Sequence, residues 1–311
     1  MDRLTKSSVN LLNSIFASSI ALGLTVLTGT SAQALSLKVT VQNTSVEQGV
    51  FFSPFWFGFH DGSFDTFTPG EKASLPLEII AEDGIVGLEL ITPEFKELAN
   101  LATFFGATLP PPEDTLAGLF AASEPDGLQS IAFANVFGFG GGSEFSFFVD
   151  IDPTIQTSVS YAAMVLPSHD GFVGDVDPIT LFSPDGVFLP QKIEIRGADV
   201  FDAGTEENIE DVSTTPIIFN PPERFFGAFR QGKPEDALIR THPLLKEPGQ
   251  GGFLDLPNYV NGDFTRNPNQ IYALINIEQV SVPEPTSTFS LLAIGLLGVT
   301  SIFKRKLKPC N

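Results

Sequence analysis

An all-β chain, folded as an antiparallel β-sandwich with one or two short helices in its connections, is what the sequence predicts, on three observations. Apolar and polar residues alternate with period two in short runs such as 37–41 and 191–196, which lays one face of a strand on a core and the other in solvent. Turn signals punctuate the runs, as in Ser183-Pro184-Asp185-Gly186, with the second-position Pro and fourth-position Gly that a type I turn favours. Once both ends are set aside about 250 residues remain, within reach of one sandwich. A chain that is 42% hydrophobic and holds 30 Phe can fill the core of such a body and is not disordered.

The first segment, 1–34, reads as a secretory signal peptide. Arg3 and Lys6 make a positive start, 15–27 is apolar, and Ala32-Gln33-Ala34 is a small-x-small cleavage site for signal peptidase. A retained anchor helix is the alternative, and the apolar stretch is short of the ~20 residues a span prefers. The body, 35–281, opens with the alternating run Leu37-Lys38-Val39-Thr40-Val41. The tract 51–59, FFSPFWFGF, is aromatic on both faces and is expected to be a buried strand rather than an exposed recognition surface.

Helix signals come next. Thr92 and Pro93 can start a helix over 93–105 with Phe95, Leu98, Ala99, Ala102 and Phe105 on one face and Gly106 as its stop. A shorter one is expected over 115–122, with Leu109-Pro110-Pro111-Pro112 separating the two. Both are expected to decorate a long inter-strand connection and not to build the core. The glycines of 137–142 have no following Lys and open no helix, so they make a flexible turn before an aromatic strand and not a phosphate loop. Residues 158–166 form the strand that leads to Asp170, and 270–280 a closing strand.

Two strand ends deliver carboxylates to loops: 161–166 runs into a turn with Asp170, and 191–196 into a loop with Asp202 and Glu206. Acids held on loops by strands suit a hard cation such as Ca²⁺, which takes six to eight oxygens in a flexible shell. Asp199, Asp202, Glu206, Glu207, Glu210 and Asp211 crowd one stretch, and a solvated acidic loop is the plainer reading of such a run. Asp175 and Asp177 are auxiliary candidates. The net charge is −20, and the ends are basic (Arg3 and Lys6; Lys304, Arg305, Lys306 and Lys308), so the body is more acidic still. Such a field excludes nucleic acid as a partner, because binding there requires Lys and Arg on phosphates. The positive charges of 221–252 (Arg224, Arg230, Lys233, Arg240 and Lys246) are expected to be solvated rather than folded against the acidic loop. The lone Cys310 permits no intramolecular disulfide.

The run Met164-Val165-Leu166-Pro167-Ser168-His169-Asp170-Gly171-Phe172-Val173-Gly174, followed by Phe201-Asp202-Ala203-Gly204-Thr205-Glu206, resembles the spondin domain in its bacterial form. Upstream, 59–65 (FHDGSFD) and 70–74 (GEKAS) resemble it too, so the likeness spans roughly 37–245. That family is an extracellular antiparallel β-sandwich, similar to calcium-dependent membrane-binding sandwiches, with one calcium ion at one end. The resemblance implies Asp170, Asp202 and Glu206 as its ligands. Glu206 stands where animal members carry Asp, and its extra methylene lengthens the reach.

At the C-terminus Val282-Pro283-Glu284-Pro285, an apolar segment over 289–303 and the basic end Lys304-Arg305-Lys306 occur in that order. This tail, 282–308, resembles the PEP-CTERM sorting signal of exported bacterial proteins. The resemblance implies a short transmembrane segment that pauses in the inner membrane with its basic end inside, and cutting by an exosortase-type protease. A plain membrane anchor is the alternative.

These readings combine into a non-catalytic, calcium-binding protein of the cell envelope or extracellular matrix that acts in adhesion. Its partners would be exopolysaccharide, lipid head groups or a surface protein. The competing expectation is an exported metal-dependent hydrolase using the repeated triplets His60-Asp61-Gly62 and His169-Asp170-Gly171. Neighbouring residues on a strand point opposite ways, so neither triplet is a site by itself. A purely structural envelope protein is a third reading.

Overall fold

Alternating runs become strands in a computed structural model that describes residues 34–280, except for short stretches within 94–108, 135–137 and 212–231. The segments expected to be the sorting tail and, Ala34 apart, the signal peptide lie outside the described residues. Fourteen strands are described: β1 (Leu35–Asn43), β2 (Phe51–Phe52), β3 (Phe55–His60), β4 (Leu128–Ala132), β5 (Glu144–Ile151), β6 (Ser158–Leu166), β7 (Gly171–Gly174), β8 (Ile179–Thr180), β9 (Gln191–Arg196), β10 (Phe201–Asp202), β11 (Ile217–Ile218), β12 (Phe225–Phe226), β13 (Arg240–Thr241) and β14 (Ile271–Gln279). Three α-helices lie wholly within the described residues: α1 (Leu75–Asp83), α2 (Leu88–Ile91) and α3 (Leu116–Ser123).

The first sheet has the order β5-β1-β14-β9; the second runs β13-β10-β7-β6-β3-β4, with β2 and β8 also against β6, and β11 and β12 form a separate ribbon. All pairings among the described residues are antiparallel, as the alternating pattern requires of a sandwich. In β1 the odd residues Leu37, Val39 and Val41 are fully buried while Lys38, Thr40 and Gln42 face partly outward. The closing strand is β14, which pairs with β1 from Leu37↔Gln279 to Asn43↔Ala273.

β3 and β6 have no exposed face, because both sides of the second sheet are covered. Phe55, Phe57 and Phe59, with Val159, Tyr161, Ala163 and Val165, face the first sheet and join Leu37, Val39, Val41, Ile275 and Ile277 in the inter-sheet core. Trp56 and Ala162 point the other way, into a second core with Leu77, Ile80 and Ala81 of α1 and Leu116, Ala117 and Phe120 of α3. The aromatic tract 51–59 is therefore buried strand. The helices are not decoration, however: they lie in the long connection between β3 and β4 but form a layer whose apolar faces complete this second core. Phe120 rests edge-on against Trp56 (5.3 Å) and Phe64 (5.0 Å). Gly58 permits the approach, since a Cβ there would stand 2.6 Å from the Phe120 ring.

The helix expected over 115–122 is α3, its N-cap Thr115 accepting the Gly118 N–H at 3.2 Å. The one expected over 93–105 lies largely outside the described residues; within it Lys96, Asn100 and Thr103 are helical. The Ser183–Gly186 turn closes with a Gly186 N–H to Ser183 carbonyl bond of 2.8 Å.

Because Phe120 is fully buried between α3 and the second sheet, Phe120→Ala should destabilise the protein by about 3–5 kcal/mol in chemical denaturation, the cost of an aromatic cavity. A loss below about 1 kcal/mol would mean that the helix layer is an accessory after all.

Candidate functional site

Strand β6 ends in a turn that aims Asp170. The Leu166-Pro167 peptide is cis, and the Ser168 hydroxyl donates to the Val165 carbonyl while accepting the Gly171 N–H (2.9 Å). In register, Gly171 of β7 pairs with Asp202 of β10, and Asp202 pairs with Arg240 of β13. This brings Asp170 beside Asp202. The 204–207 loop is zipped to 233–237 through Glu207 N–H to Lys233 (2.7 Å), Glu235 N–H to Thr205 (2.7 Å) and Ala237 N–H to Gly204 (2.9 Å), each to a carbonyl. Gly204 turns the loop at φ +71°, a left-handed conformation that suits glycine.

Asp170 and Asp202 are fully buried and Glu206 nearly so. Asp170 Oδ2 accepts the Thr205 N–H (2.8 Å) and hydroxyl (3.3 Å) and the Glu206 N–H (3.1 Å). Its other oxygen, Oδ1, is buried and meets no hydrogen-bond donor. Asp202 Oδ1 accepts the Gly204 N–H (2.8 Å), and its Oδ2 accepts the Asn208 amide and lies 3.5 Å from the Arg240 guanidinium. Glu206 Oε1 accepts the Gly232 N–H (2.7 Å), and Oε2 sits 3.6 Å from His169 Nδ1. His169 Nε2 accepts the Asp211 N–H (3.3 Å), which places the ring proton on Nδ1, facing Glu206.

Burial, then the charge of Asp202, pushes the Asp170 carboxyl up to about 6, with two backbone N–H bonds opposing and Glu206 adding to the rise. Burial also raises Asp202, against the pull of Asn208 and Arg240. Asp202 and Glu206 thus disfavour the ionisation of Asp170, and a donorless buried carboxylate oxygen is costly unless a cation or a proton meets it. That orphaned oxygen, in a set of oxygen donors, fits a hard divalent ion. The acids do not form a finished cage: among the described residues, the set of three whose ligand atoms all lie within 4.8 Å of one another is His60, Asp61 and Glu124. There, His60 Nδ1 already accepts the N–H groups of Gly62 (3.1 Å) and Phe64 (3.3 Å), so its lone pair is taken.

The two His-Asp-Gly triplets stand at opposite ends of the sandwich. His60 pairs with Ser158 at one end of β6 and Asp170 lies past its other end, a separation of roughly 26 Å at 3.3 Å per residue. The auxiliary Asp175 is in the wrong place for the tip: its Oδ2 accepts the Ser160 hydroxyl (2.7 Å) and Oδ1 the Tyr161 N–H (2.6 Å), mid-sheet on β6. Ser160 Oγ in turn lies 3.1 Å from His60 Nε2, so His60 belongs to a buried polar chain.

Of the positive charges of 221–252, Arg240 departs from the solvation expected of them, while Lys233 stays mostly exposed. Arg240 sits on Asp202 and bonds Glu235 (3.0 Å), Lys233 pairs with Glu207, and Lys246 Nζ donates to the Ile209 carbonyl (2.8 Å). The β-register that sets Arg240 opposite Asp202 overrides the weak preference of an isolated cation for water. Arg224 and Arg230 lie outside the described residues.

A family model described as the PEP-CTERM protein-sorting motif matches residues 281–306, a span that includes Val282, Pro283, Glu284 and Pro285 and the basic Lys304, Arg305 and Lys306. No curated protein matches the chain. The motif marks an exported protein sorted to the cell surface and processed by an exosortase during export. Among the described residues no helix is long and apolar enough to cross a membrane, and the segment expected to do so, 289–303, lies outside them.

Buried carboxyls away from the tip set a pH dependence. Burial raises Glu89, which bonds the Val86 and Gly87 N–H groups, to about 7, and Asp175 likewise to about 7. Those values exceed the roughly 4 of an unfolded carboxyl, so the folded chain holds protons that the unfolded chain releases. Their contribution is whole below about pH 4 and is lost as pH rises through 7. In chelator, the denaturation midpoint should therefore fall between pH 5 and 8; a midpoint that climbs across that window would contradict these assignments.

Proposed function

We propose that this exported protein is a calcium-binding β-sandwich of the spondin kind, acting without catalysis in adhesion or matrix association at the cell envelope. The observation that carries the reading is the buried, donorless Oδ1 of Asp170 beside the acids Asp202 and Glu206. Asp170, Asp202 and Glu206 would hold one ion, and water or backbone carbonyls would fill the rest of its shell. The ion supplies the positive charge that relieves their mutual repulsion, and it ties the 167–171 turn to the 202–206 loop. A body this acidic repels anionic polymers and head groups. A divalent cation at the tip offers such partners a point of contact, which supports exopolysaccharide, lipid head groups or an acidic surface protein as ligands. The separation of the two triplets, and the engaged nitrogens of His60, favour binding over hydrolysis.

A ligand that binds only the folded state at a hundredfold excess over its Kd stabilises it by about 2.7 kcal/mol. For a body of this size that is a rise in melting temperature of about 5–10 °C on adding calcium. Asp202→Ala should abolish both the rise and saturable uptake near one ion per chain in calorimetry. An unchanged melting temperature in the parent would remove the site, and turnover on a hydrolase substrate panel that is lost with His60→Ala would replace binding by catalysis.

A further inference from the structure

One positive charge already stands among the acids of the tip. Arg240 opens β13, and the register that pairs it with Asp202 carries its guanidinium to that acid. Its Nη2 lies 3.5 Å from Asp202 Oδ2 and bonds both oxygens of Glu235, at 3.2 and 3.0 Å. The two carboxylates depend on Arg240 to different degrees. Glu235 has a side chain 27% exposed and can be met by water. Asp202 is fully buried, and without Arg240 it keeps only the Gly204 N–H and the Asn208 amide. A buried carboxylate with no positive charge beside it is costly, so Asp202 needs a cation of some kind. Arg240 and a metal ion thus make the same demand on it, an oxygen of Asp202 for a positive charge.

The guanidinium is held loosely enough to give way. Its side chain is 44% exposed, so water weakens its attraction for Asp202 and receives it when it leaves. Nor is it stranded on leaving, since its bonds to Glu235 remain. Among the described residues β13 is a two-residue strand at the edge of the second sheet, so no neighbouring strand on that side hems the side chain in. A divalent ion carries twice the charge and gathers several oxygens at once, whereas the guanidinium reaches Asp202 through one nitrogen.

We propose that Arg240 is the resident counter-charge of the cation site, and that a divalent ion displaces its guanidinium from Asp202 toward Glu235 and solvent. This rests on the calcium reading of Asp170, Asp202 and Glu206 and deepens it. Ion uptake becomes an exchange of cations on a buried acid instead of the simple filling of a site. An ion of single charge gains no electrostatic advantage by that exchange, so Arg240 also selects for divalent cations.

In the full-length protein, Arg240→Gln should bind calcium about tenfold more tightly in calorimetry, because the competitor has gone. Its melting temperature should fall below the parent's in chelator, where Asp202 has lost its counter-charge. In saturating calcium the two should match, since linkage makes the gain in affinity offset the loss of metal-free stability. Lys233→Gln, which removes an equal charge from the exposed pair with Glu207, should change calcium affinity by less than about threefold. A melting temperature of Arg240→Gln lowered equally with and without calcium would show that Arg240 stays on Asp202, and overturns the proposal. An equal gain in affinity in both variants, the mark of bulk charge alone, also overturns it. Should the Gln variant fail to fold, Arg240→Lys keeps the charge but not the fork: tighter calcium binding is again expected, and unchanged affinity overturns. If neither the parent nor Arg240→Gln takes up calcium, the reading of the whole site fails and Arg240 with it. If the parent binds and Arg240→Gln binds no more tightly, only the exchange falls.

Discussion

Strand β6 has no solvent face, and the rest of the architecture depends on that constraint. One side presents Val159, Tyr161, Ala163 and Val165 to the first sheet, and the other presents Ser160 and Ala162 to the helices. A strand buried on both sides needs two covering layers, and the chain supplies them from far apart in sequence: β1 and β14 on one side, α1 and α3 on the other. Neither cover is optional, because the exposed alternative would leave Phe55, Phe57 and Phe59 or Trp56 and Phe120 in water, at about 1.5–3 kcal/mol for each large side chain. Rigidity at β6 is passed on to the turn at its end. The Ser168 hydroxyl, bonded at both ends of that turn, fixes Asp170 relative to the strand, so the acid is held by the core and not by a mobile loop.

How much of this was legible depends on which forces act locally. The strands at 37–41, 158–166, 191–196 and 271–279 were readable because period-two alternation or an unbroken apolar run is a direct consequence of facing one or two cores. Helix α1 was also written in the sequence, as Ser74, then Pro76 in the first turn, then Gly84 as a stop. The local signal passes unnoticed because the apolar positions of 75–83 do not form a clean stripe: Ile79, Ile80 and Ala81 are consecutive and all buried. The helix is covered on more than one side, so the amphipathic pattern that advertises a surface helix is absent. Arg240 was illegible for a different reason. Its place against Asp202 depends on the register of β10 with β13, 38 residues apart, and composition gives no access to register.

The tip itself shows why an acidic run is a poor guide until its members are separated. Of the six acids from 199 to 211, Asp199 accepts the Arg196 N–H at the start of a short 3-10 turn, and Glu207 pairs with Lys233 at the surface. Glu210 is buried at φ +54° and accepts the N–H groups of Lys246 and Phe253, pinning a glycine-rich loop. Those are structural tasks, each with its donors in place. Asp202 and Glu206 also have donors, but they face Asp170, whose free oxygen has none. Proximity in sequence would have pooled all six; hydrogen-bond accounting separates acids that serve only the fold from a smaller group that faces the donorless oxygen of Asp170. Arg240 supplies a positive charge to Asp202 from a partly exposed position, where screening limits its value.

The pairing of β1 with β14 also decides where this group stands relative to the sorting signal. Leu37 lies opposite Gln279, and the Val280 N–H bonds the Ser36 carbonyl at 2.9 Å, so the body begins and ends side by side at one end of the first sheet. Tyr272 and Asn43 mark the other end, where the Thr44 N–H meets the Tyr272 carbonyl at 2.9 Å. Arg196, which leads through the 3-10 turn to Asp202, pairs with Ile271 at that same far end. Nine residues of β14 at about 3.3 Å each separate the two. The matched sorting motif starts at residue 281, directly after Val280, and is therefore joined to the body at the end remote from the acids.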